Sequence, residues 1–472
     1  MMPEATLMAI LVIVFLADFC SHGKAERKWF NPLVCLLLLA QLVINICPTS
    51  ETVSLFGGLY NATPAANMMK SVLTFGTLIV VLQSRNWLAV TDTKQNEGEF
   101  YMLTISTLLG MFMMMSAGSF LMFFLGLEMA SVPMGCMVAL DKYRNKSAEA
   151  AAKFILTAIF SSGVMLYGIS FLYGSTGTLY FTDFGYALKY SPMAVMGMIF
   201  FISGLGFKIS LVPFHFWTAD TYQGAPTTVT GYLSVISKGA AAFTLVTLLY
   251  KVFFALTIYW ISAMYILVVL SITVANLMAI RQTELKRFMA FSSISQAGYI
   301  MLVAIGGNYV MSITALMYYV LIYIVANMTV FTIIASVEHA NNGKTDIATY
   351  NGLYKTNPKM AFLMTLALFS LGGIPPFAGM FSKFFVFLAA VDGRPAFMPY
   401  LVVFIALVNT VVSLYYYLLI VKAMYINNEG EPIAKFKMDC NTKLTLAVCT
   451  IGVILFGVAS CIYEALHNAA AI

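Results

Sequence analysis

Charge is scarce in this chain, since only 10% of its 472 residues are Asp, Glu, Lys or Arg and only four are His. Its longest polar stretches run to roughly 20 residues, too short to form a separate soluble domain. Hydrophobic residues make up 61% of the sequence, and the mean hydropathy is +0.87. This composition is typical of a polytopic membrane protein and excludes a soluble enzyme.

Motifs for redox and nucleotide cofactors are also missing. The seven cysteines form no CxxC pair and no Cys/His spacing suited to a metal. No GxGxxG follows a strand pattern, and there is no phosphate-binding GxxxxGK[ST] loop. We therefore expect no cofactor and no metal ligand in this chain, so the energy that drives it must come from elsewhere.

Apolar runs long enough to cross a membrane are plentiful. A bilayer core about 30 Å thick needs roughly 20 apolar residues per helix. None of the runs alternates in polarity as barrel strands do, and an open backbone is not tolerated in lipid. The predicted fold is an all-α polytopic membrane protein with about fourteen spans, at 5–19, 31–47, 66–83, 99–115, 117–140, 150–173, 191–213, 226–249, 258–280, 287–306, 310–336, 359–389, 398–424 and 442–463.

The basic residues are divided unevenly between alternate loops. Taken alternately, the loops form two sets, and the set that is poor in basic residues holds only Lys189, Lys251 and Arg394. Because Lys and Arg favour cytoplasmic loops, the division predicts both termini on the non-cytoplasmic side and an even number of spans. The net charge of +6 is too thinly spread to indicate nucleic-acid binding. The richer set holds nineteen, namely Lys24, Arg27, Lys28, Arg85, Lys94, Lys142, Arg144, Lys146, Lys153, Arg281, Lys286, Arg287, Lys344, Lys355, Lys359, Lys422, Lys435, Lys437 and Lys443.

Four charged residues lie inside apolar runs, in four different predicted helices: Glu128, Lys208, Lys238 and Lys383. A charge at the centre of a membrane helix costs roughly 2.5–3.5 kcal/mol or more, so such residues usually serve function. The alternative is that each lysine reaches an interface or forms a structural pair. The remaining lysine outside the loops, Lys70, lies near a predicted span end.

Proline interrupts two of the predicted spans, the seventh at Pro213 and the twelfth at Pro375 and Pro376. Proline removes a helical hydrogen bond, so each span should be split or kinked. The breaks are five spans apart, which predicts two inverted five-helix repeats, spans 4–8 and 9–13, with a transport site at mid-membrane. We therefore divide the chain into 1–95 (helices 1–3), 96–250 (first repeat), 251–425 (second repeat) and 426–472 (helix 14). The alternative is that proline is simply common in membrane helices.

Buried lysines beside a carboxylate are suited to proton transfer. At about 7 Å and an effective dielectric of 20, Glu128 and Lys208 would interact by roughly 2.4 kcal/mol, enough to load or unload a proton as they move. Lys238 would accept that proton and Lys383 would pass it on. Polar groups such as Ser237, Ser382, Gln296 and Asn327 would bridge the gaps. His215, after the first break, is either a proton-uptake group or a helix cap.

The motifs around these residues resemble a known family. They read GFKISLVPFHFWTADTYQGAPTTVTGYLSVISKGA at 206–240, LGLEMASVPM at 125–134 and LGGIPPFAGMFSKF at 371–384. These segments resemble the antiporter-like membrane subunits of respiratory complex I, in a superfamily shared with Mrp antiporters. The similarity covers spans four to thirteen and is closest to the N-type branch. One departure is Thr218-Ala219-Asp220, where the family usually has proline before the aspartate.

The resemblance implies a non-redox, proton-translocating subunit of NADH:quinone oxidoreductase. Glu128, Lys208, Lys238 and Lys383 match the family's proton-path residues. NADH, FMN, iron–sulfur clusters and quinone would be bound by partner subunits, among them neighbouring antiporter-like and small membrane subunits, in a bacterial inner membrane. The alternatives are an Mrp-type Na⁺/H⁺ antiporter or hydrogenase-linked pump subunit, and a structural membrane scaffold that moves no ions.

Overall fold

Helices account for nearly all of the regular structure in the computed structural model, which describes residues 1–21, 27–47, 52–89, 96–142, 144–341, 343–393, 396–427 and 432–471. Two short antiparallel strands, β1 (Val53–Leu55) and β2 (Tyr60–Ala62), precede the third helix. The helices up to the middle of the chain are α1 (Met2–Ser21), α2 (Phe30–Ile46), α3 (Pro64–Leu88), α4 (Glu97–Met115), α5 (Phe120–Val138), α6 (Asn145–Thr176), α7 (Phe181–Ala187), α8 (Pro192–Ile209), α9 (Phe216–Gly224), α10 (Thr227–Tyr232) and α11 (Lys238–Lys251).

The rest of the chain continues the same architecture. Short 3₁₀ turns at Phe254–Leu256, Leu302–Ile305 and Ile347–Tyr350 lie between its helices. These helices are α12 (Thr257–Ile280), α13 (Leu285–Met301), α14 (Tyr309–Ala340), α15 (Leu353–Thr356), α16 (Pro358–Gly372), α17 (Ala378–Val391), α18 (Phe397–Tyr425), α19 (Cys440–Val458) and α20 (Ser460–Ala471).

The predicted all-α membrane fold is confirmed. Within the described residues, 12 helices are long and apolar enough to cross a membrane. The shorter apolar helix α2 and the pair α16 and α17 correspond to the other predicted spans. The predicted end of the last span is wrong, because the backbone turns extended at Ala459 and α20 starts as a separate helix. The domain boundary at 95 falls at the edge of a range, 90–95, outside the described residues.

Contacts between loops show that most of the basic loops share one end of the bundle, termed here the basic end. Hydrogen bonds join Arg144 to Glu338 (3.3 Å), Arg85 to Asn441 (3.3 Å) and Thr345 to Glu284 (2.9 Å). Lys24, Lys94 and Arg394, which belong to the predicted charge distribution, lie outside the described residues. The alternation of basic and non-basic loops thus corresponds to two physical ends of the molecule.

The described residues near both chain termini lie at the other end. Near the N-terminus, Glu4 accepts a hydrogen bond of 2.8 Å from Tyr60, whose strand pairs with Ala117 in the loop between α4 and α5. Near the C-terminus, His467 lies 3.5 Å from Thr314 in the first turns of α14. A helical chain that starts and finishes at one end crosses the bundle an even number of times, as the charge distribution predicts.

The two proline breaks have the same local geometry. α8 is capped by Ser210, which has the left-handed conformation (φ 68°), and the Leu211 amide donates back to Gly206 O at 2.8 Å. α16 is capped by Gly373 (φ 87°), and the Ile374 amide donates to Phe369 O at 3.0 Å. A left-handed residue with a backward hydrogen bond is a common helix C-cap. Each break therefore ends one half-helix cleanly and leaves carbonyl groups inside the bundle.

The most buried helices lie around the middle of the molecule. α13 and α14 are buried along nearly their whole length, as is the helical stretch that runs from α10 through α11. A π-bulge, Leu233–Ser237, joins α10 to α11 directly before Lys238. π-bulges are rare and are found often at functional sites.

Candidate functional site

Lys208 lies in the last turn of α8 and reaches across to α5. Its side chain is buried, and its Nζ donates a hydrogen bond of 2.7 Å to Ser131 Oγ. Ser131 stands three residues after Glu128, so both side chains lie on one face of α5. Oε1 of Glu128 is buried without a hydrogen-bond partner among the described residues. The structure therefore brings this predicted pair onto facing helices.

Lys238 lies at the centre of the molecule and is only 1% exposed. Its Nζ donates a hydrogen bond of 2.9 Å to Ser293 Oγ on α13 and lies 5.3 Å from the centre of the Tyr222 ring. Both neighbours are neutral. Because a hydroxyl oxygen can stabilise an ammonium and can also remain hydrogen-bonded to a neutral amine, Lys238 can gain or lose a proton here.

Lys383 joins the two halves of the broken twelfth span. From α17 its Nζ donates to the carbonyls of Leu371 (2.9 Å) and Gly372 (3.0 Å) at the end of α16. The ammonium also lies 5.0 Å from the centre of the Tyr299 ring. A cation near the last carbonyls of a helix is favoured by the helix dipole. The break thus supplies an acceptor site that a continuous helix would not have.

The polar face of α13 lies between Lys238 and Lys383. Ser293, the partner of Lys238, is three residues from Gln296 on this helix. Gln296 Nε2 approaches Leu371 O at 3.5 Å, the same carbonyl that Lys383 binds. Tyr319 and Tyr417 also hydrogen-bond to Gln296. A cavity of about 10 Å³, close to the size of one water, adjoins Gln296 and Lys383.

The other predicted supporting residues lie near this axis. Pro213, Pro375 and Pro376 occupy the two breaks. His215 directly precedes α9, but its side chain makes no capping hydrogen bond, and Nδ1 has no partner among the described residues. Asn327 is fully buried on α14 and donates to Ser234 Oγ at 2.5 Å.

The departure from the family pattern at Thr218-Ala219-Asp220 has a simple structural outcome. All three residues are helical in α9. Asp220 binds Lys153 and Arg287, each at 2.8 Å. The half-helix α9 is therefore intact without that proline, and Asp220 anchors α9 to α6 and α13.

One buried pair was missed by the sequence interpretation, which placed Lys70 near a span end. Lys70 is 0% exposed and forms a 2.5 Å ion pair with Glu4. Tyr60 and Ser116 also donate to Glu4, at 2.8 and 3.4 Å. No local pattern signals this, because α1 and the strand pair cover Lys70 only in the folded chain. Lys286, counted as a loop residue, is likewise buried and donates to Ala225 O at 2.6 Å.

Comparisons with known proteins agree with this architecture. The model of the family described as NADH:quinone oxidoreductase/Mrp antiporter, TM, matches residues 117–412. The NADH-quinone oxidoreductase subunit N of Phocaeicola vulgatus is 56% identical over 470 residues, covering 100% of this chain and 98% of its own. A chain in the structure of respiratory complex I from Thermus thermophilus with bound aureothin has a TM-score of 0.80 and 28% identity, over 97% of both chains. A chain of the Mrp complex from Dietzia sp. DQ12-45-1b has a TM-score of 0.83 at 17% identity, covering 100% and 97%, and shares the fold.

The helices, the two breaks and the buried lysines together define a polytopic membrane protein with charged groups along its centre. The chain belongs to the NADH:quinone oxidoreductase/Mrp antiporter transmembrane family.

Proposed function

We propose that the chain is a non-redox, proton-translocating subunit of the membrane arm of a bacterial NADH:quinone oxidoreductase, of the subunit N kind. One observation carries the proposal. Lys208, Lys238 and Lys383 are buried in different helices, and each donates to neutral hydroxyl or carbonyl oxygens. Because no carboxylate among the described residues is hydrogen-bonded to Lys238 or Lys383, each of these two lysines can release its proton without leaving an unpaired anion behind. Lys208 can release its proton when Glu128 moves away from it.

The proposed path runs along the membrane plane. When Glu128 and Lys208 approach each other, the carboxylate favours protonated Lys208, which takes up a proton. When the two separate, Lys208 releases that proton. Lys238 accepts the proton, and the polar face of α13 passes it to Lys383 through ordered water. Lys383 then delivers it towards the non-cytoplasmic side. His215 serves as a proton-uptake group, and the proline breaks let the half-helices adjust.

The partner subunits of the complex would supply the redox cofactors. NADH, FMN, iron–sulfur clusters and quinone would be held by partner subunits, and neighbouring antiporter-like and small membrane subunits would contact this one. The basic end would face the cytoplasm of a bacterial cell with the subunit in its inner membrane, so that both termini lie outside the cytoplasm. The two inverted repeats, 96–250 and 251–425, would each contribute one broken helix.

Substitution of Lys238 tests the proposal. In assembled complex reconstituted in vesicles, Lys238→Met should abolish proton pumping and lower NADH:quinone turnover with it. Lys238→Arg should also impair pumping, because arginine keeps its proton. Normal pumping by assembled Lys238→Arg complex would reject the proton-carrier role and support a scaffold subunit.

An Mrp-type antiporter or hydrogenase-linked pump remains the second candidate, since the Dietzia chain has the same fold. The genes that flank this one separate the two. Genes for quinone-site and iron–sulfur subunits would support complex I, whereas a run of small antiporter subunits would support the alternative.

A further inference from the structure

A cavity of about 530 Å³ opens at the end of the bundle opposite the basic end. Its walls are formed by β2, the last turn of α4, α7 and the second half of α11. Along α11 the lining extends from Lys251, which is exposed, to Phe243, which is buried. These two residues are eight apart, so the cavity is about 12 Å deep along that helix. Its volume is in the range of sites that bind small organic molecules.

The inner part of the cavity is apolar except for one hydroxyl group. The side chains of Met114, Met115 and Phe243 line it and are buried. Thr247 also lines the cavity, and its buried Oγ1 has no hydrogen-bond partner among the described residues. Buried hydroxyls in native proteins usually have a partner. A molecule that fits here should therefore be mainly apolar and should offer an acceptor to the Thr247 hydroxyl.

The opening of the cavity is positively charged, at an end of the molecule where basic residues are rare. Lys251 lines the opening, and its Nζ lies 4.9 Å from the centre of the Tyr309 ring. Lys189 follows directly after α7 and its C-cap. Neither lysine forms an ion pair within the part of the chain that the structure describes. The only carboxylate on α7 is that of Asp183, which is exposed and accepts from Thr182 at 3.4 Å. The opening therefore favours an anionic group.

Exposed aromatic side chains lie around this opening. Tyr186 on α7 and Phe254 after α11 line the cavity and are 88% and 48% exposed. Nearby, Tyr190 stacks on Tyr259 with the ring centres 5.4 Å apart, and both rings are exposed. Tyrosine is enriched where a membrane protein meets the lipid headgroups. The cavity thus opens at the level of the headgroups and extends towards the hydrocarbon.

We propose that this cavity binds one anionic glycerophospholipid. An acyl chain lies along α11 against the apolar inner lining, and the Thr247 hydroxyl donates to an ester carbonyl. The phosphate lies at the opening, where Lys251 neutralises it. The lipid then joins α7 and β2 to α11, the helix that carries Lys238. This inference goes beyond the proposed function and does not depend on it.

Photocrosslinking tests the site in the purified membrane complex that contains this chain. The complex is reconstituted in phosphatidylcholine vesicles with a small fraction of a phospholipid that carries a photoreactive acyl chain. One sample receives phosphatidylglycerol as this probe, and the other receives phosphatidylcholine. Mass spectrometry should find the phosphatidylglycerol probe attached to α7 and to the second half of α11. The phosphatidylcholine probe should label these segments several-fold less, because it lacks the net negative charge.

Two variants separate the charge of the site from its shape. Lys251→Gln should lower labelling by the phosphatidylglycerol probe about fivefold, the effect of one lysine on an anionic lipid. Thr247→Phe fills the cavity and should abolish labelling of α11 by either probe. Thr450→Phe is the matched control, because Thr450 Oγ1 is also buried without a partner among the described residues but belongs to α19, outside this cavity.

Several outcomes would overturn the lipid site. Equal labelling by the two probes, or unchanged labelling in Lys251→Gln, would exclude an anionic headgroup. Absence of labelling in α11, or cross-links from this segment to a neighbouring subunit, would exclude a lipid as the occupant. Equal losses in Thr247→Phe and Thr450→Phe would show a packing effect. If Thr247→Phe complex fails to assemble, Lys251→Gln decides, because Lys251 is exposed. Proton pumping is not measured here, so the result leaves the proposed function untouched.

Discussion

At the scale of single residues, the buried lysines differ in the groups that accept their hydrogen bonds. Lys238 donates to a serine hydroxyl and Lys383 to backbone carbonyls, whereas Lys70 is bonded to the carboxylate of Glu4. A lysine that loses its proton beside a buried carboxylate leaves an unpaired anion, which is costly. Lys70 is therefore a structural residue that fastens α1 to α3, in contrast to the lysines of the central axis.

The Glu4–Lys70 pair predicts a difference between single and double variants. Lys70→Met should destabilise the subunit by about 3–5 kcal/mol, because Glu4 stays buried without its partner. The double variant Glu4→Gln, Lys70→Met should recover much of that loss. Thermal release of the subunit from purified complex measures both. Pumping per assembled complex should stay unchanged, so a pumping defect in the double variant would contradict the structural role.

At the scale of the helices, the two breaks use different residues for the same left-handed turn. Ser210 adopts φ 68°, and its buried hydroxyl has no hydrogen-bond partner in the part of the chain that the structure describes. Gly373 adopts φ 87°. Glycine takes this conformation without strain, whereas residues with a Cβ do not. The first break therefore carries strain that the second avoids.

Exchanging the residue types should have opposite effects. Ser210→Gly should stabilise the subunit by about 1 kcal/mol, since it relieves a left-handed residue. Gly373→Ala should destabilise it by about 1–2 kcal/mol, and its Cβ would lie 3.1 Å from Lys383 Cδ. Chemical unfolding in detergent gives both values. A stabilising Gly373→Ala would show that this cap is wrongly assigned.

In the proposed path, α13 connects Lys238 to Lys383, and we expect Gln296 to be its critical residue. Gln296→Leu should lower pumping by about tenfold with assembly intact, because the helix then lacks the amide that approaches Leu371 O. Ser295→Ala is the matched control, since Ser295 Oγ has no hydrogen-bond partner among the described residues. Dye-based pumping assays of both variants decide, and equal activities would remove Gln296 from the path.

At the scale of the whole molecule, the sequence predicts the membrane spans, which the lipid environment requires. It does not predict the burial and the partners of the lysines, which depend on tertiary contacts. Hydropathy places nearly every span, because each membrane helix must satisfy its own backbone in hydrocarbon. Lys70 lies near a span end as predicted, six residues into α3 and about 9 Å by helical rise. Its burial was missed because α1 and the strand pair provide it. The partners Ser131 and Ser293 likewise lie 77 and 55 residues from their lysines along the chain. No periodicity carries such information.

The two ends of the bundle carry native cysteines that test its orientation. Cys440, at the start of α19 on the basic end, and Cys47, directly after α2 at the opposite end, are both exposed. In variants that keep one cysteine, an impermeant thiol reagent should label Cys440 only in inverted vesicles and Cys47 only in intact spheroplasts, because basic loops stay cytoplasmic. Cys449 is buried and should label in neither preparation. Labelling of Cys47 from the cytoplasmic side would reverse the proposed orientation, so this measurement also decides in which direction the proposed path would carry protons.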